Sequence, residues 1–175
     1  LLRRLHLFLR DFGPSLATMP PALPDLRPAG RDDLDTLRWS ARSDGRSGYI
    51  FVNNYERLKK LPEKTNIQFS LKLPDSDSPL TLPSSPFTLP SGARFIWPFN
   101  LDLGSDARLL HATAQLVCSI DDGDTRTLFF AETPGIPAEF CVRGTGIPTG
   151  TNGATVVLPA FPSSEEDKNK YLIKD

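Results

Sequence analysis

The chain has 175 residues and a formal net charge of −1, from 20 Lys and Arg against 21 Asp and Glu, so bulk positive charge cannot drive it onto nucleic acid. A hydrophobic fraction of 39% with 11 Phe suffices for one packed core, which excludes full disorder, and the length suits one domain or one domain plus a piece of another. Its 17 prolines and 12 glycines argue for turns and short strands over a helical bundle, so a mainly β body is expected.

The longest mostly apolar run, Leu5 to Leu9, contains His6 and falls far short of the roughly 20 residues that cross a bilayer, so no membrane span is expected. Arg3 and Arg4 precede a short apolar stretch with no small-residue cleavage site, and residue 1 is Leu, so the start reads as a cut and not as a signal peptide. On a helical wheel, Leu1, Leu5, Phe8, Leu9, Phe12 and Leu16 share one sector, with Arg3, Arg4, Arg10 and Asp11 opposite. That is an amphipathic helix, interrupted or restarted at Gly13-Pro14. Six large apolar side chains at about 1.5–3 kcal/mol each represent on the order of 9–18 kcal/mol of burial. Such a face needs a cover, which is either the β body or the remainder of a larger domain. Residues 19–36, beginning Met19-Pro20-Pro21-Ala22-Leu23-Pro24, read as an extended linker.

From residue 37 the period changes to two. Leu37, Trp39 and Ala41 alternate with Arg38, Ser40 and Arg42, the turn Ser43 to Ser47 follows, and Gly48 to Tyr55 is apolar on both faces, which predicts a hairpin. Ile67 to Leu73 alternates, and short strands are expected at Leu80 to Leu82 and Phe87 to Leu89. Phe95, Trp97, Phe99 and Leu101 form the next strand, with Pro98 pointing to an edge or a bulge. Leu110 to Ile120 reads as one strand of a hairpin that turns at Asp121-Asp122-Gly123-Asp124 and returns through Arg126 to Ala131. Ala138 to Val142, Ala154 to Leu158 and the start of a strand at Tyr171-Leu172-Ile173 complete the count, with a loop over Gly144 to Gly153. Eight to ten short strands joined by turns predict an antiparallel β-sandwich or jelly-roll-like domain over 37–175.

Chemistry is sparse. With His6 on the helix flank and His111 on the outward face of its strand, no metal centre is expected. Gly144-Thr145-Gly146 has no Lys-Ser/Thr after it and opens no helix, so no nucleotide site is expected, and Gly-x-Ser-x-Gly does not occur. The acidic clusters Asp32-Asp33-Asp35, Asp75-Asp77, Asp121-Asp122-Asp124 and Glu165-Glu166-Asp167 read as solvated turns. Glu132 and Glu139 flank Pro134 to Pro137 and are weak candidates for a carboxylate pair. Trp39 and Trp97 read as core, which leaves Tyr55, after Asn53-Asn54, as the better exposed aromatic for stacking on a sugar. Cys118 and Cys141 fit no zinc spacing and read as free thiols, Cys118 inward and Cys141 beside outward Glu139 and Arg143.

Several runs carry a resemblance. Leu37-Arg38-Trp39-Ser40, Ser43-Asp44-Gly45-Arg46-Ser47-Gly48 with Phe51-Val52-Asn53-Asn54-Tyr55, Phe87-Thr88-Leu89-Pro90-Ser91-Gly92 with Ile96-Trp97-Pro98-Phe99-Asn100, Ala112-Thr113-Ala114-Gln115, and Pro134 to Phe140 together resemble bacterial β-galactosidases of glycoside hydrolase family 35, in the β domain that follows the catalytic barrel. Residues 2–9 with Phe12-Gly13 resemble the last helix of that (β/α)₈ barrel.

The resemblance implies three segments: residues 1–18 as the final barrel helix, its apolar face lacking a partner in this chain, 19–36 as a Pro-rich linker, and 37–175 as a supporting β domain. It implies a fragment of a retaining hydrolase acting on terminal β-galactosides or polysaccharide, whose partner is the catalytic barrel of the same polypeptide, with no cofactor and an extracellular or periplasmic location. The family's two catalytic glutamates lie on barrel strands N-terminal to every run seen here, so no catalytic, cofactor-binding or metal-binding residue carries over to any position. The alternative reading is a stand-alone carbohydrate-binding or structural β module.

Overall fold

A computed structural model describes residues 2–74, 76–104, 106–123 and 125–144, and the backbone of a strand over 170–174. One helix precedes antiparallel sheets, so the body is mainly β, as the turn-rich composition predicts. The helix α1 (Leu2–Thr18) runs through Pro14 and ends before Pro20-Pro21, where helical backbone is disfavoured. Its interruption at Gly13-Pro14 does not occur, because Phe12 and Leu16 on either side are both buried in the same cluster and hold the turn between them.

The strands are β1 (Pro21–Ala22), β2 (Trp39–Ser43), β3 (Gly48–Asn53), β4 (Lys64–Leu71), β5 (Leu80–Leu89), β6 (Arg94–Gly104), β7 (Ala107–Ala112), β8 (Gln115–Asp122), β9 (Thr125–Ala131), β10 (Glu139–Arg143) and β11 (Lys170–Lys174). Seven form one sheet in the order β1-β2-β3-β6-β7-β10-β11, and β4-β5 and β8-β9 form separate hairpins. The two hairpins cover opposite faces of the sheet. Phe69, Leu82 and Leu89 of β4 and β5 pack on Ile50, Val52, Phe95, Trp97 and Phe99. On the other face, α1 and the β8-β9 hairpin pack on Tyr49, Phe51 and Ile96 through Phe8, Phe12, Leu16, Leu116, Leu128 and Phe130. This explains why Gly48 to Asn53 is apolar at both parities: β3 is covered on both sides.

Several expectations change. The apolar helix face is covered by this chain's own sheet and hairpin: among its described residues Phe8, Phe12 and Leu16 are buried and Leu9 is 42% exposed. Ring planes of Phe8 and Tyr49 meet edge to face, and the Asp11 carboxylate accepts the Ser119 N–H at 3.0 Å, fixing α1 on β8. The segment 19–36, read as an extended linker, is tied to the body at its start: β1 pairs with β2, Met19 is buried, and its carbonyl accepts from Arg42 Nε at 3.0 Å.

Leu110 to Ile120 is two strands in two sheets. The chain turns a corner at Thr113, whose hydroxyl donates to Pro137 O (2.7 Å) and accepts from the Glu139 N–H (2.6 Å). Pro98 lies in a central strand, opposite Tyr49 of β3, and needs no edge because the ladder between β6 and β7 begins only at Phe99. Leu80 to Leu89 is likewise one strand where two short ones are expected, and β11 completes the sheet by pairing with β10. The strand expected at Ala154 to Leu158 and most of the Gly144 to Gly153 loop lie outside the described residues.

Candidate functional site

Two places gather polar chemistry. The first lies at the end of β3, where the chain leaves the sheet at Asn54. Asn54 is buried; its Nδ2 donates to Pro62 O and Pro90 O, both at 2.9 Å, and its backbone bonds to Ala93 and Gly92 at 2.8 Å. These bonds tie the loop after β3 to the turn between β5 and β6. Beside them is a shallow cavity lined by Tyr55, Glu56, Lys60 and Ser91 among others. Tyr55 is 45% exposed, as its position predicts, with the Arg94 guanidinium 4.7 Å from its ring centroid on one face. Glu56 is taken by Arg38 at 2.8 Å and Arg31 at 3.2 Å, and the hydrogen bond from Arg38 is the first cause that holds its carboxyl below the usual range. Lys59 pairs with Asp32. The cavity therefore offers one aromatic face and a rim whose charges are largely neutralised.

The second place is interior. His111 Nε2 lies 2.7 Å from Glu139 Oε1, and Ser84 donates to the same carboxylate through its N–H and its hydroxyl, each at 2.9 Å. Burial pushes the Glu139 carboxyl up, but the hydrogen bonds from His111 and Ser84 together outweigh it and hold the group below the ordinary glutamate range. His111 Nδ1 is buried with no hydrogen-bond partner. His111 and Glu139 are buried while Ser84 is exposed, and the network reads as a tie between layers.

His111 and Glu139 are buried, not outward, because β7 and β10 are inner strands with layers on both faces; alternation marks a solvent face only where one face is wet. Glu132 is exposed while Glu139 is committed to His111 and Ser84, so the two make no catalytic pair. The cysteines exchange places for the same reason: they form no disulfide with each other, and Cys141 is buried while Cys118, on the outer hairpin, is half-buried. Trp97 is fully buried and Trp39 packs on Phe69 at 5.1 Å, as core residues do. His6 is exposed, and no group of three or more potential ligands gathers among the described residues.

Asp32, Asp33 and Asp35 do lie in a turn, but Asp33 is built into it, accepting backbone N–H groups from Ala29, Asp35 and Thr36. Asp75, Asp124, the Glu165 to Asp167 cluster and Thr145-Gly146 lie outside the described residues. Sequence reasoning missed Ser84 and Arg94, because each meets its partner far along the chain and neither stands in a motif. No protein-family model matches this sequence, and no curated protein matches it.

Proposed function

We propose that this chain is a non-catalytic supporting β domain of a β-galactosidase-like glycoside hydrolase, whose turnover resides in a barrel of the same polypeptide. One observation carries the reading beyond the resemblance itself: although Tyr55 and Ser91 of the resembling runs line the shallow cavity, several other residues of these runs are spent on internal contacts. Asn54 of the Phe51 to Tyr55 run bonds to Pro90 of the Phe87 to Gly92 run, Trp97 is sealed in the core, and Thr113 is locked to Pro137 and Glu139 of the last run. Such use of the most distinctive residues suits a scaffold.

The helix gives no support, because its buried stripe has its cover here. The isolated chain is expected to leave a chromogenic β-galactoside unhydrolysed, and a gene extended upstream through a barrel to hydrolyse it. Turnover by these 175 residues alone, or an upstream sequence with no barrel, overturns the reading.

The exposed Tyr55 ring favours a second reading, a carbohydrate-binding module. Calorimetric titration of the isolated chain with galactosides separates the two: the scaffold predicts no measurable heat, the module predicts binding that Tyr55→Ala abolishes.

A further inference from the structure

The polar network around Glu139 joins three strands from two layers. Ser84 belongs to β5 in the covering hairpin, His111 to β7 and Glu139 to β10 in the main sheet. Among the described residues, the three groups that touch the Glu139 carboxylate are donors: the Ser84 N–H, the Ser84 hydroxyl and His111 Nε2, which must carry its proton there to meet an ionised oxygen. We propose that Glu139, His111 and Ser84 form an acid-released clamp that fastens the β4-β5 hairpin to the main sheet and lets go when the carboxylate takes up a proton.

Protonation turns one accepting oxygen into a donor in a site that holds donors. A proton on Oε2 is met by the Ser84 hydroxyl, which rotates to accept it; the Ser84 N–H and His111 Nε2 keep Oε1 as acceptor, but their bonds to it lose the negative charge that strengthened them. The alternative, moving the histidine proton to Nδ1 so that Nε2 accepts from the acid, places an N–H at an atom that has no partner in the interior. The first route replaces charge-assisted bonds by neutral ones and the second leaves a buried N–H without a partner, so either weakens the tie to β5.

Among the described residues, the surroundings supply few competing charges. β5 holds no ionisable residue, and the one on β4, Lys64, donates to Leu34 O at 2.7 Å. On β7, Arg108 bonds to Asn100 O and pairs with Asp102 of β6, and Arg94 of β6 sits over Tyr55. On β10 the other titratable groups are buried Cys141 and exposed Arg143. On β11, Lys170 and Tyr171 stand farther along the ladder, and Lys174 stands opposite Glu139.

Amide hydrogen exchange on the full chain, corrected for intrinsic rates across pH, reads the clamp directly. In the wild type, protection at Ser84 and its β5 neighbours is expected to fall in a step below pH 4.5, the ordinary glutamate value, while β3 and β6 stay protected. Glu139→Gln should lower Ser84 protection about tenfold at neutral pH and remove the step. A step that persists in Glu139→Gln, or β5 losing protection only together with β3 and β6, overturns the proposal. Should Glu139→Gln fail to fold, Ser84→Ala decides: losing the hydroxyl donor should move the step to higher pH, and an unmoved step overturns the clamp. Loss of the step in Lys174→Gln with Glu139 intact also overturns it.

Discussion

The Phe8 ring stands edge-on to Tyr49, with centroids 5.1 Å apart and planes at 85°. Phe8 comes from the N-terminal helix and Tyr49 from the centre of the large sheet, so this contact makes the helix part of the body's own core. Phe8 is fully buried, and Phe8→Ala deletes a buried ring at a site hemmed in by sheet and hairpin. A loss of about 3–5 kcal/mol is expected in urea unfolding. A cost below about 1 kcal/mol, the range of surface changes, would mean that the helix docks elsewhere in solution.

Gly48 opens β3 opposite Phe99. A β-carbon there would run into the Arg42 carbonyl oxygen and come within 2.7 Å of Phe99 Cζ. The first obstacle is backbone in a paired strand and cannot swing aside. Gly48→Ala is therefore expected to cost about 1–3 kcal/mol or more through overpacking, read as a fall in Tm. Gly30→Ala, with nothing within 4 Å, serves as the control and should leave Tm unchanged. Equal effects at both positions would contradict the register of β2, β3 and β6.

The mainly β body, the β2-β3 hairpin and the Trp97 core were legible because their signals are local: alternation, a turn between two runs, an aromatic in step with its neighbours. The burial of His111 and Glu139 was not. From Leu110 to Leu116 the apolar residues alternate, which in an isolated strand assigns the residues between them to solvent. Here Thr113 breaks the run into strands of two different sheets, and the hairpin carrying Ser84 closes over the face that alternation left to water. Layer stacking is a long-range outcome, and a two-residue period holds no record of it. The same limit hid the helix cover: amphipathicity shows that a face must be buried, while only the folded chain shows that Tyr49 and Leu116 bury it.

Asp33 should titrate far below an ordinary aspartate. The Thr36 N–H, at 3.0 Å, is the leading cause, followed by that of Ala29, and the carboxyl is pushed down to about 2 from 3.8. Since the folded form holds its proton less tightly than the unfolded chain, the group's stabilising contribution is complete above pH 3.8 and disappears as pH falls toward 2. Carboxyl chemical shifts should place the Asp33 midpoint near 2. In Asp33→Asn the part of the acid-unfolding curve between these two values should flatten. A midpoint near 3.8 would show that the turn around residues 29–36 is not formed in solution.

The two cysteines give a test of the layer order that needs no mutation. Cys141 lies on an inner strand of the main sheet and is buried, whereas Cys118 lies on the outer hairpin and is partly open. Thiol reactivity requires access of the reagent to sulfur as well as thiolate character. A disulfide reagent in native buffer should therefore modify one thiol quickly, identified as Cys118 by peptide mapping. Cys141 should react only at the rate at which the sheet opens, and urea should bring the two together. Fast modification of Cys141 in the native protein would require that β10 lack cover on one face, contrary to the three-layer arrangement that places Glu139 and His111 in the interior.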